Sequence, residues 1–170
     1  VANLTRNFME REAAPVAAEF DARPDPKDCY PRELINKASK LGLRTLAVPE
    51  EWGGIGADSL TTAMVIEELA KADIGVSVVM AQTLKLAQVL QKATTPEQRD
   101  RYIPKFRDDP RYLLAIAITE PETASNYFLP PPSPFHTTAE KGDGGWIVNG
   151  MKHFISNGGI AKLYFLALRT

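Results

Sequence analysis

Side chains that could take part in chemistry lie in two short stretches in the second half of the chain. The first, residues 116–125, begins as an apolar run that stops at the motif Thr119-Glu120-Pro121. Because proline lacks an amide hydrogen and has a fixed φ, a central strand cannot continue through this motif. The second, residues 149–156, begins with Asn149-Gly150, a pair that favours a type I′ hairpin turn, and ends at Ser156. A hydroxyl group at the end of each predicted strand therefore indicates a binding site.

The residues by themselves supply no complete catalytic or metal-binding set. His136 and His153 are the only histidines in the sequence, and no further ligands follow at the spacing of a known metal site. No serine lies in a nucleophile elbow. Glu120 could act as a base on its own, but its position beside a proline at the end of a strand favours a structural role. We therefore expect neither a metal ion nor a catalytic residue in this chain.

The composition is that of a soluble globular protein: 170 residues, 44% of them hydrophobic and 24% charged. The net charge is −1 and there is no basic stripe, which argues against nucleic acid or an anionic membrane as a partner. The most apolar run, residues 74–81, is much shorter than the roughly 20 residues that a membrane span needs. A single cysteine, Cys29, favours a reducing compartment, and we expect the cytoplasm of a bacterium in preference to a mitochondrial matrix.

Helical spacing of apolar residues dominates the first part of the sequence and predicts an all-helical domain over residues 1–110. Pro15 is expected to interrupt the first helix, and Gly42 to end the second. The helix over residues 74–91 is apolar around nearly its whole circumference, which predicts burial among other helices, with a partner-binding helix as the alternative. The predicted helices cover residues 3–20, 31–41, 58–71, 74–91 and 95–106.

From residue 111 onward the spacing becomes that of β-strands, and it predicts a second domain over residues 111–170. A glycine-rich turn is expected at residues 142–145. The fold class is therefore α+β, with an antiparallel, barrel-like second domain that is incomplete at its C-terminus. The predicted strands cover residues 112–118, 137–140, 146–148, 151–155 and 163–168.

Five segments, in this order and spacing, resemble the acyl-CoA dehydrogenase family: residues 15–18, 49–56, 119–121, 142–150 and 154–158. The glycine-rich segment 49–56 lacks the spacing of a phosphate-binding loop and predicts a tight turn with Trp52 buried. The resemblance implies a helical N-terminal domain, a middle β domain and a C-terminal helical domain. This chain would cover the first of these and most of the second.

The resemblance also implies an FAD site. In the family, the strand before the Thr-Glu-Pro motif gives main-chain and hydroxyl contacts to the isoalloxazine ring, which assigns cofactor contacts to Ile116, Ile118 and Thr119. The family's aromatic-Ile-Ser/Thr stretch lines another side of the ring, which assigns Phe154 and Ser156. An aromatic side chain there excludes water, and fixed donors stabilise charge on the ring as it accepts hydride.

The reaction implied by the resemblance is the α,β-dehydrogenation of an acyl-CoA thioester, with electrons passed to an electron-transferring flavoprotein. Ser125, kept from the family's Ala-Gly-Ser-Asp sequence, is assigned to the coenzyme A portion of the substrate. The implied assembly is a homo-oligomer, either a dimer or a tetramer. In the family the carboxylate that removes the α-proton belongs to the C-terminal domain, so we expect this chain alone to be inactive.

Two other functions remain open at the level of sequence. One is an acyl-CoA oxidase or flavin monooxygenase of the same superfamily, which differs in whether reduced flavin meets oxygen. The other is a non-catalytic interaction module that retains the fold, an alternative suggested by Ala124 and Asn126, which replace a glycine and an aspartate of the family. Flavin absorbance of the purified full-length protein would separate this last alternative from the others.

Overall fold

Six α-helices build the first of two units into which the chain divides, Val1–Leu113 and Leu114–Thr170. The computed structural model describes residues 1–124 and 135–170. The expectation of an all-helical N-terminal region is confirmed. The helices are α1 (Ala2–Phe8), α2 (Ala14–Asp21), α3 (Arg32–Lys40), α4 (Ser59–Ala72), α5 (Ile74–Lys92) and α6 (Pro96–Asp108).

The ends of these helices follow the capping signals in the sequence. Asp58 Oδ1 accepts a hydrogen bond from the Thr61 amide at 2.7 Å and caps α4. Thr95 and Gln98 form a reciprocal capping box at the start of α6. Gly42 follows α3 with φ of +84°, a conformation that glycine adopts without steric cost.

Pro15 interrupts the first predicted helix, as expected. A π-helical turn, Met9–Ala13, separates α1 from α2, and Pro15 lies in the first turn of α2. Because the nitrogen of proline cannot donate to the preceding turn, the wider π-turn accommodates the missing hydrogen bond.

Several helices each bury one face in the core of the first unit, whereas α5 also has a face that lies outside this core. Ile74 and Val78, on α5, are exposed, so the other helices of the first unit do not cover this helix on all sides. By length and composition α5 could cross a membrane, a test that a core helix of a soluble protein also passes. The largest buried apolar side chains include Met9, Ile35, Leu46, Leu69, Met80, Leu84, Leu86, Leu90 and Phe106.

The glycine-rich segment after α3 forms a tight turn, as predicted. The Gly56 amide donates to the Val48 carbonyl at 2.8 Å, and a Cβ on Gly54 would lie only 2.0 Å from that carbonyl oxygen. Trp52, however, is half-buried instead of buried, because it ends a short 3-10 turn, Glu50–Trp52, at the surface of the unit.

A buried arginine, Arg44, ties the end of α6 to the core of the first unit. Its guanidinium donates to the carbonyls of Phe106, Arg107 and Tyr112, and lies 4.4 Å from the centre of the Phe106 ring. Burial lowers the pKa of Arg44 to about 10, so the group is still protonated at neutral pH. A positive charge at the C-terminus of α6 faces the negative end of the helix dipole.

Four short strands form the described part of the second unit: β1 (Leu114–Ala117), β2 (Thr138–Gly142), β3 (Gly145–Asn149) and β4 (Leu163–Leu166). Strands β2 and β3 make an antiparallel hairpin in which Gly142 faces Gly145, so the predicted turn at residues 142–145 is confirmed. Strands β1 and β4 pair in parallel, with Leu114 opposite Leu163. A single bridge between Thr138 and Arg169 joins the two pairs.

The antiparallel barrel is not found in the described residues, which contain two two-stranded sheets, one of them parallel. The chain between β1 and β4 carries the β2–β3 hairpin and a further connection, which together exceed the dozen or so residues that a parallel pair needs for its crossover.

Two local expectations in the second stretch are also wrong. Asn149 pairs with Thr138 as the last residue of β3, so Asn149-Gly150 is not a hairpin turn. Gly150 instead has φ of +144° and lies against Thr137, where a Cβ would come within 2.5 Å of the Cα atom. The predicted strand over residues 151–155 is absent, because Phe154 has φ of +54° and so cannot continue an extended chain.

Candidate functional site

The described residues of the two stretches that suggested chemistry lie side by side in the second unit. The His153 amide donates to the Thr119 carbonyl at 2.8 Å. The Lys152 ammonium donates to the Ile118 carbonyl at 3.0 Å. These two bonds, one from the main chain and one from a side chain, hold the segment that follows β3 against the end of β1.

The carboxylate of Glu120 lies at the centre of this arrangement and is almost completely buried, with its side chain 1% exposed. Its Oε1 accepts hydrogen bonds from Lys152 Nζ at 2.7 Å and from the Thr137 amide at 3.0 Å. Its Oε2 accepts one from the His136 amide at 2.6 Å. The carboxylate therefore joins three parts of the unit: the end of β1, the start of β2 and the segment after β3.

The turn that carries Glu120 is itself closed by the main chain. The Glu120 amide donates to the Thr123 carbonyl at 2.7 Å, and the Thr123 amide donates back at 3.3 Å. Pro121 lies inside this turn and has no amide hydrogen that would need a hydrogen-bond partner, so the sequence of the motif suits the turn.

The electrostatics of Glu120 are set by two opposing influences. Burial, the larger single influence, raises its pKa, but the combined hydrogen bonds from Lys152, Thr137 and His136 outweigh burial and hold the pKa at about 2. The carboxylate is thus ionised at neutral pH beside an ammonium group whose side chain is only 10% exposed. A carboxylate with so low a pKa is a weak proton acceptor, so this geometry supports the structural role expected for Glu120.

The residues predicted to contact the cofactor lie on both of these segments. Ile116 lies in β1 and is half-buried, and Ile118 and Thr119, also half-buried, follow directly. Phe154 is 93% exposed in the left-handed region of φ, and Ser156 is exposed. The hydrogen bonds between the segments bring the two groups of residues together in one region, while the contacts assigned to each remain predictions.

The remaining candidate residues contribute less. Ser125, assigned to the substrate, lies outside the described residues. The His136 ring faces the exposed Glu122, with 3.5 Å between Nε2 and Oε2. The His153 ring nitrogen Nε2 lies 3.1 Å from the sulfur of Met151. In the part of the chain that the structure describes, no group of three or more side chains could hold a metal ion.

Sequence reasoning missed Lys152, the residue that connects the two segments. A signal was present: Lys152 is the only lysine or arginine among residues 149–156, and Glu120 is an acidic residue just after the apolar run of the other stretch. Opposite charges in two segments of a shared site predict a buried pair, because a single buried charge is costly.

The residues present fit a flavin, whose ring is flat and apolar on its faces and polar at its edges. A non-glycine residue at positive φ is uncommon, and for a bulky residue it often marks a functional site. Phe154 has this conformation, and its nearly fully exposed ring could cover an apolar face. The hydroxyl and main-chain groups of Thr119 could serve a polar edge.

Comparison with known proteins identifies relatives over nearly the whole chain. Residues 1–109 match the family model described as "Acyl-CoA dehydrogenase, N-terminal domain". An acyl-CoA dehydrogenase from Bacillus subtilis is 35% identical over 162 residues, which cover 95% of this chain and 40% of that protein.

Solved structures show the same similarity. An acyl-CoA dehydrogenase from Geobacillus kaustophilus superposes with a TM-score of 0.85 at 30% identity, over 99% of this chain and 42% of that one. An acyl-CoA dehydrogenase from Bacillus anthracis, solved as a complex with FAD, has a TM-score of 0.80 at 28% identity, over 98% of this chain and 27% of that one. The chain thus spans less than half the length of these proteins.

Proposed function

Since the chain belongs to the acyl-CoA dehydrogenase family, we propose that the protein catalyses flavin-dependent α,β-dehydrogenation of an acyl-CoA thioester. The observation that carries the proposal is the pairing of the two motif segments through the His153 amide and the Thr119 carbonyl. That pairing holds side by side the two segments to which flavin contacts are assigned, and so supports the proposal.

FAD, when bound, would supply the acceptor for the hydride that leaves the β-carbon of the substrate. The residues of this chain would bind and orient the cofactor. Thr119 and the main chain of Ile116 and Ile118 would provide polar contacts at the edge of the ring, and Phe154 would exclude water from it. Ser156 would add a hydroxyl group on the side of the second segment, and Ser125 would contact the coenzyme A portion of the substrate.

The proton at the α-carbon needs a base that these residues do not supply. Glu120 is already bonded to Lys152, Thr137 and His136, and its low pKa makes it a poor base. We propose that the base is a carboxylate elsewhere in the full-length protein. The proposed electron acceptor is an electron-transferring flavoprotein, the proposed assembly a dimer or tetramer, and the proposed location a bacterial cytoplasm.

The proposal is tested by the substitution Thr119→Val in the full-length protein. If Thr119 gives the flavin one ordinary hydrogen bond, its loss weakens FAD binding by about 0.5–1.5 kcal/mol, or roughly two- to tenfold. Titration of the apoprotein with FAD, followed by flavin fluorescence, measures this change, and an acyl-CoA-dependent dye-reduction assay measures turnover.

The matched control is Thr138→Val, which makes the same change at the first residue of β2, outside both motif segments. A β-branched residue suits a strand, so this control is expected to keep the FAD affinity of the unmodified protein. Unchanged FAD affinity and unchanged turnover in Thr119→Val would contradict the assignment of this residue.

A further inference from the structure

We infer that the buried pair formed by Glu120 and Lys152 positions Thr119 for the flavin, so that Lys152 and Glu120 are positioning residues of the cofactor site. This inference rests on the proposed flavin function of Thr119, and it adds two residues to which the family resemblance assigned no role in the site.

The geometry places the pair on both sides of Thr119. Lys152 Nζ donates to the Ile118 carbonyl at 3.0 Å, on the residue before Thr119, and to the Glu120 carboxylate at 2.7 Å, on the residue after it. The His153 amide bonds the carbonyl of Thr119 itself at 2.8 Å. Three consecutive residues at the end of β1 are therefore held by two consecutive residues of the second segment.

The pair also contacts the segment that leads into β2. The Glu120 carboxylate accepts from the amides of His136 and Thr137, which lead into β2. The Lys152 ammonium lies 4.3 Å from the centre of the Phe135 ring, which adds a cation–π contact and helps to cover the charge. With both charges nearly buried and bonded on several sides, the main chain of residues 118–120 has little freedom to turn.

A fixed main chain matters for a cofactor site because hydrogen-bond strength depends steeply on distance and angle. Preorganised donors stabilise charge without having to rearrange during the reaction. If the pair is broken, Thr119 is still present, but its hydroxyl and amide groups no longer hold one orientation. The inference thus predicts a change in flavin properties without loss of any flavin-contacting residue.

The test compares Lys152→Met with Lys141→Met in the full-length protein. Lys152→Met keeps the length of the side chain and removes the ammonium, whereas Lys141 is exposed on β2, and its substitution changes the net charge equally. We expect Lys152→Met to weaken FAD binding about tenfold and to shift the visible absorption and circular dichroism bands of the bound flavin. We expect Lys141→Met to change neither.

Because a buried carboxylate left without its partner can unfold a protein, the double substitution Glu120→Gln with Lys152→Met provides a second variant. It removes both charges together and leaves no buried charge without a partner, so it should destabilise the folded protein less than the removal of one charge alone. We expect this variant to fold and to show a thermal unfolding transition. Its FAD binding should remain weaker than that of the unmodified protein, and its flavin bands should remain shifted. The KM for acyl-CoA is expected to change less than kcat, because the pair lies at the proposed cofactor site.

The outcomes separate this inference from the proposed function. If the unmodified protein binds FAD, and the folded double variant binds it with equal affinity and identical visible spectra, the pair is merely structural and the inference is wrong. If the unmodified full-length protein binds no FAD, the proposed function fails, and the inference fails with it. Weakened binding with shifted spectra in the double variant, but not in Lys141→Met, supports the inference.

Discussion

The buried ion pair makes the stability of the protein depend on pH in a way that can be calculated from the structure. Hydrogen bonds from Lys152, Thr137 and His136 hold the pKa of Glu120 at about 2, below its ordinary value of 4.5. A carboxyl whose pKa is lowered by folding stabilises the folded state above its unfolded pKa, and this contribution is lost as the pH falls towards the folded pKa. The window for Glu120 therefore extends from about pH 4.5 down to about pH 2.

The magnitude follows from the difference between the two pKa values. A shift from 4.5 to about 2 corresponds to about 3 kcal/mol of stability at neutral pH. Because the carboxyl is nearly fully buried, solvent screening reduces this value little. Linkage gives a loss of about 2 kcal/mol between pH 7 and pH 3, since the unfolded chain takes up a proton in this range while the folded protein hardly does.

The substitution Glu120→Gln removes this pH dependence. We expect the difference in free energy of unfolding between the unmodified protein and Glu120→Gln to shrink by about 2 kcal/mol from pH 7 to pH 3. Urea unfolding, followed by circular dichroism at constant ionic strength, measures the difference at each pH. Other carboxyls such as Glu68, which the Arg6 and Lys71 side chains bind, titrate in both proteins and cancel in the difference.

The matched control is Glu122→Gln, two residues along the same turn, where the side chain is 78% exposed. We expect its unfolding free energy to follow that of the unmodified protein across the whole pH range. The reasoning is refuted if the difference between the unmodified protein and Glu120→Gln is the same at pH 7 and pH 3. Such a result would mean that the pKa of Glu120 is not lowered in the folded protein.

Two further predictions concern stability alone. Arg44→Met leaves the carbonyls of Phe106, Arg107 and Tyr112 without their buried donor, and should lower the unfolding free energy by about 3 kcal/mol. Urea unfolding checks this value, and a loss no greater than that of the exposed control Arg111→Met would contradict it. Gly150→Ala places a methyl group 2.5 Å from the Thr137 Cα at a positive φ, and should cost about 1–3 kcal/mol. In a thermal melt its Tm should fall clearly below that of Gly159→Ala, whose added methyl meets no atom within 4 Å, and equal Tm values would refute the steric argument.

Much of the helical unit could be read from the sequence because its signals are local. Asp58 caps a helix by bonding an amide three residues away, and the Thr95–Gln98 box does the same. Pro15 interrupts a helix through its own missing amide hydrogen. Trp52 differed from expectation, since burial depends on which other elements lie nearby.

The β unit was read less well because its structure depends on distant partners. Asn149-Gly150 has the local chemistry of a hairpin turn, yet Asn149 pairs with Thr138 and the turn falls earlier, at residues 142–145. An apolar run such as residues 114–117 predicts a strand but carries no information on its partner or on its direction. The parallel pairing with residues 163–166 is therefore visible only in the folded chain.

For the candidate site, the sequence by itself determined the family and the two segments that carry the proposed flavin contacts, because those motifs are runs of adjacent residues. Only the tertiary structure decided how the segments meet. It paired Lys152 with Glu120, which lie 32 residues apart in the chain. This pairing gives the Glu120 carboxylate a structural role, whereas the sequence alone left the role of a base open. The physical reason is that protonation and charge pairing depend on distances and burial between residues far apart in sequence, which no local pattern encodes.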